Sequence, residues 1–345
     1  MRTGETDENK GLFAGVDKNG SMLREHRLEV ALVVAIVLVT ALGVRASYQP
    51  QDPIGQVEVV ESLYDLDLDD PHPWFTAWTL GDGQAYALIA ADVSGQKLAT
   101  HVQEAAYRFA RAGHGWAAAA FSLGRESLIP YGLATTGALA LVGVVAVAMR
   151  LRSRLGPRVW WVVFNPALYL GFAGDTSEPL AVLLLMIAMA WSSWVAAMLL
   201  GVSRPTFLVS TWGNWRLFVP GASTAVVLAV YSLIAFGSDS FVPDGGRLGL
   251  PLSAYVEHPS ISGIALGVAA IATVVVGVRL RDWSWVIAGL FIFCFGSDVL
   301  RDPVNAWRAA GFLPVMWAFG PRWDVSRTTA TRDPSHETVA GNVST

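Results

Sequence analysis

Residues 179–203 read PLAVLLLMIAMAWSSWVAAMLLGVS, 25 consecutive positions without one Asp, Glu, Lys or Arg. About 20 apolar residues carry a helix across the hydrocarbon of a bilayer. Working outward, Pro130–Met149, Leu217–Ser238 and Pro259–Val278 are equally free of charge. One such run fits the centre of a soluble domain, but four leave too little polar surface to cover it. Only 15% of the 345 residues are charged, against about 25% in an ordinary soluble domain. The pattern predicts an all-α, polytopic transmembrane bundle in the cell (plasma) membrane.

About eight spans are expected: Leu28–Val44, Pro130–Met149, Val159–Gly174, Pro179–Ser203, Leu217–Phe236, Pro259–Val278, Trp283–Ser297 and Val304–Phe319. They fill residues 28–320, between an N-terminal tail (1–27) and a Thr- and Ser-rich tail (321–345) expected to be disordered. The first span reads as an uncleaved anchor. Arg150, Arg152, Arg154, Arg158, Arg204, Arg216, Arg279 and Arg281 fall in alternate short connections, and only Arg247 and Arg301 in the others. Cationic connections stay in the cytoplasm, which places both termini inside. Trp191-Ser-Ser-Trp194 leaves an alternative open, a span that ends there with Pro205 starting a re-entrant piece. The net charge of -4 and the lack of a basic stripe point away from nucleic acid. Cys294 is the sole cysteine, so no disulfide forms within the chain.

Residues 46–129 are too long for a simple connection. On this topology they form an acidic extracytoplasmic loop. Asp82-Gly-Gln-Ala-Tyr86-Ala-Leu-Ile-Ala90 passes from a Gly-flanked carboxylate into an apolar stretch, the pattern of a short helix on the membrane surface with Asp82 at its N-terminus. Asp82 is then a helix cap or a general base. Beyond Asp92, the segment His101–Arg111 reads as a second interfacial helix, with His101, Glu104, Arg108 and Arg111 on one face and Val102, Ala105, Ala106 and Phe109 on the other. Arg108 and Arg111, with His101, either meet lipid headgroups or hold a phosphate leaving group in their planar donor forks. Tyr64-Asp65-Leu-Asp67-Leu-Asp69-Asp70 alternates in a way that fits an exposed extended segment or a divalent-metal site, without the spacing of an EF-hand.

Asn165-Pro166 and the turn Asp175-Thr-Ser177-Glu178-Pro179 form the second informative region. The turn is short, so both carboxylates are expected at the outer face, beside water and level with Asp82. Arg204 closes the apolar run as a helix stop, or as a functional group if the chain re-enters.

Taken in order, Asp82-Gly-x-x-Tyr86-x-x-Ile89-Ala90, Asn165-Pro166, Ser177-Glu178 and Arg204-Pro205-Thr206 resemble the multi-spanning GT-C superfamily glycosyltransferases, nearest the GPI-mannosyltransferase-like and related bacterial branches. The resemblance runs from about Leu28 to Pro251. Gly81 stands where an aromatic commonly precedes the Asp. The resemblance implies transfer of a mannose-like sugar from a polyprenyl-phosphate donor to a glycan or lipid acceptor on the outer side of the membrane. It implies Asp82 as catalytic base. Arg108, Arg111 and His101 would hold phosphate, and Tyr86, Asp92, Asp175, Glu178 and Arg204 would contact substrate. No organic cofactor is implied, and a divalent metal is optional. No Walker pattern is present, as suits a donor already activated as a lipid phosphate. A transporter or flippase and a noncatalytic scaffold are the competing classes.

Overall fold

The computed structural model describes residues 27–47, 83–102, 104–238, 252–257 and 259–320. Among them the chain forms helices and turns but no strand. α1 (Arg27–Ser47) runs along the outside of the bundle with Leu32, Ile36 and Val39 exposed. α2 (Gly83–Ala91), α3 (Gln96–His101), α4 (Ala105–Phe109) and α5 (Gly113–Ser122) are short and build a second apolar core of Ile89, Leu98, Phe109, Ile129 and Leu133. α6 (Ile129–Arg150) starts with Pro130 in its first turn, where the missing N–H costs nothing.

From there the helices break. α7 (Val159–Val163) and α8 (Pro166–Ala173) divide at Asn165-Pro166. α9 (Glu178–Trp191) and α10 (Trp194–Ser203) divide at Ser192-Ser193. α11 (Trp215–Phe236) and α12 (Ile261–Leu280) are continuous, and α13 (Trp283–Ile292) is short. α14 (Pro303–Ala309) and α15 (Phe312–Phe319) divide at Ala310-Gly311. Among the described residues, four segments are long and apolar enough to cross a membrane: α1, α6 with the turn before it, α11 and α12. The expected count of about eight is therefore not confirmed among them, because the remaining apolar runs are built from shorter pieces.

Interrupting a helix inside apolar surroundings strands backbone groups unless the protein supplies partners. Asn165 supplies them: its Oδ1 accepts the Ala167 N–H at 3.1 Å, and its Nδ2 donates to the Gly311 carbonyl at 2.7 Å. Asn165 thus serves its own interruption and, across the bundle, the one at Gly311.

The run that decided the fold class is not one straight span. Ser192 takes a left-handed φ of 51°, Ser193 Oγ accepts the Ala196 N–H at 3.3 Å, and α10 turns back along α9. Trp191 and Trp194 mark an exposed turn. Arg204, expected in a cytoplasmic connection, returns to the start of α9, its Nη2 3.0 Å from Glu178 Oε1. The alternative in which a helix ends at Trp191-Ser-Ser-Trp194 fits this region, but the piece that returns is Trp194–Ser203 rather than one starting at Pro205.

Ion pairs define the two ends of the bundle. Glu29 pairs with Arg152 near the start of α1. Arg45 pairs with Asp175 sixteen residues later, about 24 Å away at 1.5 Å per residue. Gly320, at the end of α15, lies against Arg158 on the Glu29 side. The Asp175–Glu178 turn therefore occupies the opposite end.

Candidate functional site

The turn between α8 and α9 is buried rather than solvated: Asp175 is 2% exposed and Glu178 0%. Its charges are met by cations from distant parts of the chain. Arg45 holds Asp175 through two parallel bonds, Nη1 to Oδ1 at 2.6 Å and Nη2 to Oδ2 at 2.7 Å, and also donates to the Phe172 carbonyl at 2.8 Å. This clamp holds Asp175 at a φ of 48°, in the left-handed region that non-glycine residues other than Asn and Asp seldom adopt. Glu178 Oε1 accepts from Arg308 Nε at 3.0 Å and meets Arg204 Nη2 at 3.0 Å. One carboxylate thus faces two buried guanidinium groups. Removing charges from water costs several kcal/mol each, about as much as close pairing returns. Such a cluster is weak evidence of stability and better evidence of a binding task.

The α2–α5 layer closes over this turn. Tyr86 of α2 donates from its hydroxyl to Ser177 Oγ at 3.1 Å. His114 of α5 meets the Tyr86 ring edge-on, with centroids 5.2 Å apart. Two glycines permit the approach. A Cβ on Gly113 would come within 2.4 Å of Ser203 Oγ, and one on Gly115 within 2.9 Å of the Tyr86 carbonyl oxygen. α5 is thereby wedged between α2 and the end of α10 that delivers Arg204. His114 is 1% exposed with no hydrogen-bond partner on either ring nitrogen. Burial lowers its pKa to about 4 even though the nearby Glu178 charge pulls it up, so the imidazole is neutral at pH 7.

The other expected site residues fall as follows. Asp82 lies outside the described residues, as does the Tyr64–Asp70 run. Gly83, next in the chain after Asp82, is the first described residue of α2. That helix is buried within the protein from Gly83 to Ala90, as suits its largely apolar composition. Asp92 serves its own turn. Oδ1 accepts from the Ser94 N–H at 3.0 Å and the Ser94 hydroxyl at 2.7 Å, and Oδ2 accepts from the Lys97 N–H at 3.0 Å. Desolvation pushes this carboxyl up, but the Ser94 hydroxyl and these N–H groups more than reverse it, leaving it below the ordinary range.

The His101–Arg111 segment is not one amphipathic helix. It breaks at Val102, which is extended (φ -126°, ψ 120°). Arg108 and Arg111 are buried, Arg108 Nε 3.4 Å from Glu104 Oε2 and Arg111 over the Tyr107 ring at 4.3 Å. His101 is half-buried at the end of α3. Among the described residues, no group of three or more His, Cys, Asp or Glu converges as a metal site would require.

Sequence reasoning passed over Arg45, Arg308 and His114. Arg45 stands immediately after the first expected span, Leu28–Val44. Arg308 stood in view inside an expected span, where a lone charge is expensive and marks function. His114 was signalled only by its flanking glycines.

Beside the polar cluster lies an apolar cavity of about 600 Å³, lined by Phe109, Trp116, Val202, Leu228 and Tyr231 among others. Exposed Val227 and Tyr231 of α11 stand at it. Val202 is two residues from Arg204, so the apolar cavity and the charged turn are neighbours. No protein-family model, curated protein or solved structure matches the chain.

Proposed function

We propose that the protein is a membrane glycosyltransferase that moves a mannose-like sugar from a polyprenyl-phosphate donor to an acceptor hydroxyl at the outer face of the membrane. One observation carries this reading. Tyr86, Ser177–Glu178 and Arg204, members of three motifs far apart in sequence, meet in one buried cluster with more positive than negative charge around Glu178. An excess of fixed guanidinium groups suits a departing phosphate, whose growing charge they stabilise. The neighbouring apolar cavity suits an isoprenoid chain.

In the reaction the acceptor hydroxyl oxygen bonds to the anomeric carbon as its proton passes to a carboxylate, assigned to Asp82. The bond from that carbon to the phosphate oxygen breaks, and its electron pair leaves with the lipid phosphate. Arg308 at the turn and Arg108 and Arg111 of the covering layer are the cations assigned to that leaving group.

The test is transfer of radiolabelled mannose from polyprenyl-phosphate mannose by the purified chain. Asp82→Asn is expected to abolish transfer while leaving thermal stability unchanged. Full activity in that variant removes Asp82 as base, and a wild type that transfers from no polyprenyl-phosphate hexose defeats the reading.

A transporter is the second reading, favoured by the paired interruptions at Asn165-Pro166 and Ala310-Gly311, since broken helices near buried charges line many transport paths. Solute uptake into vesicles that is indifferent to Asp82→Asn would select it.

A further inference from the structure

Three neighbouring side chains, each more than nine-tenths buried, retain unfilled hydrogen-bonding capacity: Glu178 at Oε2, Arg204 at Nε, and His114 at both ring nitrogens. The Thr176 hydroxyl donates to the Gly171 carbonyl at 3.2 Å and also bears on the Glu178 carboxylate, which leaves Oε2 as its unfilled oxygen. Their proximity rests on separate contacts. Arg204 touches Glu178 at 3.0 Å, Tyr86 bridges His114 to Ser177, and Gly113 abuts Ser203.

The unfilled atoms have a definite chemistry. Glu178 Oε2 accepts, Arg204 Nε–H donates, and a neutral imidazole offers one donor and one acceptor. The set therefore asks for two donors and two acceptors. A bare phosphate oxygen would answer Arg204 but bring like charge to Glu178 and leave an imidazole lone pair unmet. Two hydroxyl groups, each able to donate and accept, answer all four.

We propose that Glu178, Arg204 and His114 together seat two adjacent hydroxyls of a sugar, a vicinal diol, with Tyr86 holding the imidazole edge-on to receive them. This deepens the transferase reading and rests on it for the ligand being a sugar. It assigns the Glu178 side of the cluster to the sugar ring, and leaves the leaving phosphate to the remaining guanidinium groups.

The experiment titrates the full chain in lipid nanodiscs by calorimetry with methyl α-mannoside, its 2-deoxy analogue and inorganic phosphate. Saturable binding of the mannoside is expected, with the 2-deoxy analogue weaker by roughly tenfold or more, because a site built around a hydroxyl rejects its absence. Arg204→Lys keeps the charge but removes the Nε–H, and His114→Phe fills the ring's space without polar atoms. Each is expected to weaken the mannoside at least several-fold and to level the difference between mannoside and deoxy analogue. Should His114→Phe fail to fold, Arg204→Lys still decides.

No saturable mannoside binding means that water alone fills the cluster and overturns the proposal, as do equal binding of mannoside and deoxy analogue, unchanged variants, or displacement of the mannoside by phosphate. A wild type that discriminates the diol but transfers no sugar overturns the transferase and leaves the seat standing. Transfer without diol discrimination overturns the seat alone.

Discussion

The first helix carries an ion pair near each end, and the two teach opposite lessons. Glu29 with Arg152 is partly open to solvent, where pairing competes with water and is worth little. Arg45 with Asp175 is sealed, with side chains 3% and 1% exposed, and has three charge-assisted hydrogen bonds of 2.8 Å or less. The same residue chemistry is decoration at one end and a commitment at the other, because breaking a buried pair leaves a charge with neither partner nor water. Polar order is therefore concentrated at the Glu178 end, where the candidate site stands.

The largest effect is expected from Glu178→Leu, which leaves Arg204 and Arg308 facing each other without their shared carboxylate. A loss of about 5 kcal/mol is expected, visible as failure to recover folded protein from detergent. Near-normal yield and melting would mean the cluster is hydrated rather than sealed. Asp175→Ala should cost about 3 kcal/mol in denaturant titration, less than the first because Arg45 keeps the Phe172 carbonyl.

pH adds a third probe. His114 has a folded pKa of about 4, below the roughly 6.5 of an unfolded His. Its contribution is whole above pH 6.5 and falls as pH drops from 6.5 towards 4, because the unfolded chain takes the proton first. The loss is ~3 kcal/mol at most. Wild type and His114→Asn should differ in the slope of stability against pH within that window and run parallel above it. Parallel curves throughout would place the imidazole in contact with water. The smallest effect belongs to Glu29→Ala, below about 1 kcal/mol and shrinking with salt; a loss matching that of Asp175→Ala would erase the contrast between the ends.

Much of the helical framework was legible. Uncharged runs of spanning length became α6, α11 and α12 within a few residues, and the apolar stretch after Asp82 is helical from its first described residue, Gly83. The fold-back at Ser192-Ser193 was legible only as an alternative, because two serines between tryptophans sit as readily in a span as in a turn. That one ambiguity moved Arg204 from one end of the bundle to the other. The pairings Arg45–Asp175 and Arg308–Glu178 each join residues 130 apart, beyond any local periodicity. Arg308 alone announced itself by cost. The layer over the site was read as interfacial because amphipathic spacing looks alike in lipid and in protein, whereas the largely apolar α2 carried the sign of burial in its composition.

The central claim is that the 179–203 run turns back and returns Arg204 to Glu178. A double-mutant cycle of Glu178→Gln and Arg204→Gln, read as unfolding free energy, tests it most directly. Contact at 3.0 Å predicts a coupling of about 1 kcal/mol or more between the two substitutions. Additivity within about 0.5 kcal/mol, as expected of residues on opposite faces of a membrane, would contradict it.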